Sequence, residues 1–122
     1  MIRALCLAAA LLGAAPALAQ SDEAVATAVR HAVSRASGLI LAANPEQAAM
    51  AGTLANQLLR PQRAAMAKTT RDIVAETAKS DRPLSLEAAA NIAAAQAVEG
   101  VAPEIAARGL VVPDTKAIAA TP

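Results

Sequence analysis

Beyond its first twenty residues the chain sets apolar positions at helical spacing, with prolines standing between the periodic stretches. Val25, Val29, Val33, Ala36 and Ile40 recur at steps of three and four, which predicts an amphipathic helix from Ser21 or Asp22 to about Asn44. Ser21 is a capping residue, and Asp22 and Glu23 complement the positive end of the helix dipole. A second helix is expected from Asn44-Pro45, with Asn44 as its cap, Gln47 completing a capping box, and Met50, Leu54 and Leu58 as its stripe. Pro61 opens a third that runs to about Ser80 and carries Met66, Ile73 and Val74. Ser85 caps a fourth, in which Leu86, Ile92 and Val98 stand among alanines as far as Gly100. Pro103 to Arg108 reads as a short fifth helix closed by Gly109. Leu110-Val111-Val112-Pro113 reads as extended, and the rest as a mobile tail to Pro122.

The expected fold class is therefore all-α. Four to five short, Ala-rich amphipathic helices would form a small bundle or hairpin array over residues 20–109, with an extended C-terminal tail over 110–122. A weak repeat runs through this pattern: Asn44-Pro-Glu-Gln-Ala-Ala-Met-Ala51 matches Arg60-Pro-Gln-Arg-Ala-Ala-Met-Ala67 sixteen residues later. A stacked array would produce such a repeat, but so would the ordinary way a helix starts in an Ala-rich chain.

The first residues follow a different logic. Arg3 supplies a positive charge, Ala4 to Ala15 form an apolar run, Pro16 breaks it, and Ala17-Leu18-Ala19 is a small-x-small exit. That order describes a cleaved secretory signal peptide over residues 1–19. A run of twelve residues falls short of the ~20 that a membrane span requires. Cleavage before Gln20 would leave 103 residues without the single cysteine, Cys6, and hence an exported domain without a disulfide.

Composition narrows the chemistry. Alanine accounts for 37 of the 122 residues, and Phe, Tyr and Trp are absent, so no aromatic platform exists for a base or a flavin. One His and one Cys do not make a zinc or haem site, and no cofactor or metal is expected. Eleven basic residues against ten acidic ones leave no field to gather nucleic acid. The glycines stand singly, so there is no phosphate-binding loop, and no small-molecule substrate is evident.

Residue by residue, catalysis finds little footing. His31 sits opposite the valine stripe near Arg30 and Arg35, with no acid beside it in sequence to orient the ring. Ser21, Ser34, Ser37, Ser80 and Ser85 lack a nucleophile turn or a free base, and Lys79 and Ser80 diverge on a helix. Asp72 and Glu76 share a helix face with Lys68 and Lys79, the pattern of a solvated surface. Two candidate binding surfaces remain: the basic set Arg60, Arg63, Lys68 and Arg71, and the apolar run Leu110, Val111 and Val112. The resulting expectation is a non-enzymatic exported protein of a bacterial cell envelope, periplasmic or extracellular. It would act by protein–protein contact or self-association as a structural, adaptor or chaperone-like component. The second reading is a peripheral membrane-surface protein that spreads its amphipathic helices on lipid.

Overall fold

The computed structural model describes residues 21–120. The proposed signal segment at 1–19 lies outside them. The described residues are mostly helical and contain no strand. α1 spans Asp22–Ala43, α2 Ala48–Leu59, α3 Arg63–Thr77, α4 Leu86–Ala107 and α5 Thr115–Ala120. Single 3₁₀ turns at Pro45–Gln47 and Arg60–Gln62 introduce α2 and α3.

α1 forms as its pattern predicts. The Ser21 hydroxyl accepts from the Ala24 N–H at 3.0 Å, and Val25, Val29, Val33, Ala36 and Ile40 are all buried. The two halves of the repeat become two equivalent helix entries, each a proline-bearing 3₁₀ turn followed by an α-helix. They differ in direction of travel. Asn44 and Gln47 leave the helical region of backbone space, so the chain turns and α2 packs on α1. At the second entry Leu59, Arg60, Gln62 and Arg63 all keep right-handed helical dihedrals, so the chain winds on through Pro61. In α2, Leu54 is buried and Leu58 half-buried, but Met50 faces outward at 46% exposure, and Ala51 takes the buried position in its place. α3 ends at Thr77 rather than Ser80, because the Thr77 hydroxyl accepts from the Leu84 N–H at 3.0 Å and turns the chain towards α4.

α4 is the central element and the largest departure from expectation. It begins as predicted, with the Ser85 hydroxyl accepting from the Ala88 N–H at 3.1 Å. It then runs without a break to Ala107, so the two predicted helices are one 22-residue helix with Pro103 inside. An interior proline removes one helical hydrogen bond and crowds the preceding turn, at roughly 3 kcal/mol. Packing overrides that penalty: Val101 and Ile105 on either side of Pro103 are buried, while the proline ring faces outward. α1, α3 and α5 all pack on α4. Its buried surface is largely alanine (Ala89, Ala90, Ala93, Ala94, Ala95), which lets neighbouring backbones approach on several sides. The helix closes as a Schellman turn. Leu110 N–H donates to Ile105 C=O at 3.3 Å and Gly109 N–H to Ala106 C=O at 3.0 Å, with Gly109 at φ +75°.

The expected extended tail is described as far as Ala120, with 121–122 outside the described residues, and that part departs from expectation. Leu110 is buried, 110–114 is non-helical, and Thr115–Ala120 forms α5 with Ile118 fully buried against the core. Ile118 and the half-buried Ala119 make an apolar face for which α4 offers a seat, and that burial orders the segment.

Candidate functional site

The junction where α1, the first 3₁₀ turn and the segment after α4 converge holds the most specific polar geometry in the described residues. Asn44 is 6% exposed. Its amide nitrogen donates to Ile40 C=O and to Val111 C=O, both at 2.9 Å, and its amide oxygen accepts from Val111 N–H at 2.7 Å. The side chain thus pairs with both backbone groups of Val111, as a neighbouring strand would. It makes no cap to the following turn, which corrects the capping role expected for it. Gln47 likewise makes no capping bond to the start of α2. Around this clamp lies an open depression of about 320 Å³ lined by Ala43, Asn44, Pro45, Glu46, Gln47, Gly109 and Val111.

The three residues of the predicted apolar run separate here. Leu110 belongs to the core at 4% exposure and is not available as a docking residue. Val112 is half-buried and packs against the core. Val111 projects outward at 60% exposure, its backbone held by Asn44. Val111 and Met50 are the large hydrophobic side chains that the described residues leave exposed.

The basic set is dispersed and partly neutralised. Lys68 pairs with Asp72 at 3.0 Å one turn along α3, and Arg71 pairs with Asp22 at the start of α1. Arg60 is exposed on the second 3₁₀ turn, and Arg63 is half-buried at the start of α3. No continuous cationic face results from these four.

His31 has a neighbour that sequence proximity did not reveal. Glu87, in the first turn of α4, lies 3.4 Å from His31 Nδ1 and 3.7 Å from an Arg35 guanidinium nitrogen. Arg35 also donates to the buried Asn91 Oδ1 at 2.6 Å. The group forms a polar seam between α1 and α4, open to water at the His31 end, where the ring is 62% exposed. A pair so exposed contributes at most about 1 kcal/mol. Among the described residues no group of three or more His, Cys, Asp or Glu side chains is placed to hold a metal. No helix among them is long and apolar enough to cross a membrane.

Compared with protein-family models, curated proteins and solved structures, the chain matches none.

Proposed function

We propose that this chain is a small exported helical protein of a bacterial cell envelope that works by protein–protein contact, as a structural, adaptor or chaperone-like component. The depression around Asn44 is its docking point. The observation that carries this reading is Val111, a large apolar side chain held out at 60% exposure on a backbone fixed by two hydrogen bonds. With its backbone held by Asn44, Val111 is presented at the rim of the depression without the ordering cost that a mobile loop would bring to binding. The signal-like order of residues 1–19 supports export.

The test is site-specific photo-crosslinking in bacteria expressing the full chain. A photoreactive residue at position 111 should give one discrete adduct in the envelope fraction, and the same residue at exposed Lys79 should give none. Mass spectrometry of the purified protein should find Gln20 at its N-terminus. Identical adduct patterns at 111 and 79, or protein retained with residues 1–19 in the cytoplasmic fraction, would refute the reading.

A further inference from the structure

A second recess, of about 260 Å³, runs between α1 and α3 and is lined by Ala26, Val29, Ala64 and Ala67 with Arg30 and Arg63. Its walls separate into two kinds. The alanines and Val29 give a low apolar floor with no projecting side chain, and the two guanidinium groups supply the only charge. The ion pairs of these two helices make those arginines unusual. On α1, Arg35 is paired with Glu87; on α3, Lys68 is paired with Asp72 and Arg71 with Asp22. Arg30 and Arg63 have no carboxylate at ion-pair distance among the described residues, and Arg30 bonds only the Thr27 hydroxyl of its own turn, at 3.0 Å. Arg63 is half-buried, and its Nε, like that of Arg35, is buried without an acceptor. A guanidinium partly withdrawn from water gains from a carboxylate at its terminal nitrogens through charge-assisted hydrogen bonds, and neither Arg30 nor Arg63 has one here.

We propose that the α1–α3 groove binds a carboxylate carried on an unbranched aliphatic tail, with Arg30 and Arg63 taking the carboxylate and Ala26, Val29, Ala64 and Ala67 taking the tail. The floor of small side chains suits a thin flexible chain. A flat ring would find no aromatic partner, since the sequence contains none. The groove lies just under the ~300 Å³ at which small-molecule pockets begin, so a ligand of this kind seats part of its tail and leaves the remainder in solvent. This site does not depend on the docking point at Val111.

The experiment is a titration of the purified protein with decanoate, below its micelle-forming concentration, followed by backbone amide NMR shifts. Decanol and acetate serve as comparators that each carry half of the chemistry. The expected result is saturable decanoate binding with shifts concentrated at Ala26, Val29, Arg30, Arg63, Ala64 and Ala67, and at least about tenfold weaker binding of either comparator. Arg63→Gln and Arg30→Gln should each weaken decanoate binding about tenfold, while Arg82→Gln, in the loop before α4, leaves it unchanged. Arg30 is exposed, so its variant keeps the test valid if Arg63→Gln disturbs folding, which a circular dichroism melt reports. Equal binding of decanoate and acetate, shifts scattered over other helices, or arginine variants that bind as the parent does would overturn the proposal.

Discussion

Asn44 makes three hydrogen bonds from a buried side chain, two of them to a residue 67 positions away. Asn44→Ala would strip Val111 of both backbone partners and leave Ile40 C=O without its side-chain donor. The expected loss is about 2–3 kcal/mol, seen as a melting temperature lower by roughly 10 °C. Asn91 has a similar standing, fully buried in α4 and accepting from Arg35. Asn91→Ala leaves that guanidinium short of an acceptor and should cost about 1–3 kcal/mol in a denaturant titration. Neither role was legible in the sequence. An asparagine ahead of a proline reads as a helix cap, and nothing in the sequence singles out an asparagine among alanines, because their true partners come from distant elements. The two serine caps were legible because their bonds span only three residues.

At the scale of elements, local signals served well at the starts of α1 and α4 and at the end of α4. α1 follows its valine stripe, and Gly109 ends α4 where a glycine is expected to. Pro103 misled because a proline followed by an acid is also a good helix start, and the sequence alone does not show that Val101 and Ile105 are needed on one continuous face. Glycine substitutions test this level directly. Gly38 and Gly100 lie within helices, and a Cβ at either meets nothing within 4 Å. Alanine at each should stabilise by about 0.5–1 kcal/mol in thermal melts. Gly109→Ala should destabilise by about 1 kcal/mol or more, since its φ of +75° disfavours any side chain.

For the molecule as a whole, the all-α class was legible from alanine content and periodicity, whereas the packing of the last residues was not. Six residues with one large apolar side chain do not announce a helix, and α5 exists because α4 provides its seat. Ile118→Ala should therefore lower stability by about 2–5 kcal/mol, measured by chemical denaturation. With Ile40, Leu59, Ile105 and Ile118 all enclosed within one chain, the melt should be cooperative and independent of protein concentration. The clamp between Asn44 and Val111 also sets an order of events during synthesis. A nascent chain that has reached Ala107 already carries the sequence of four helices, yet neither the clamp nor the α5 seat can close. At about 5–20 residues per second the residues as far as Ala120 follow within seconds. Until then the apolar face of α4 that Ile118 later covers stays open, and any factor that holds the chain unfolded has its opportunity before residues 111–120 emerge.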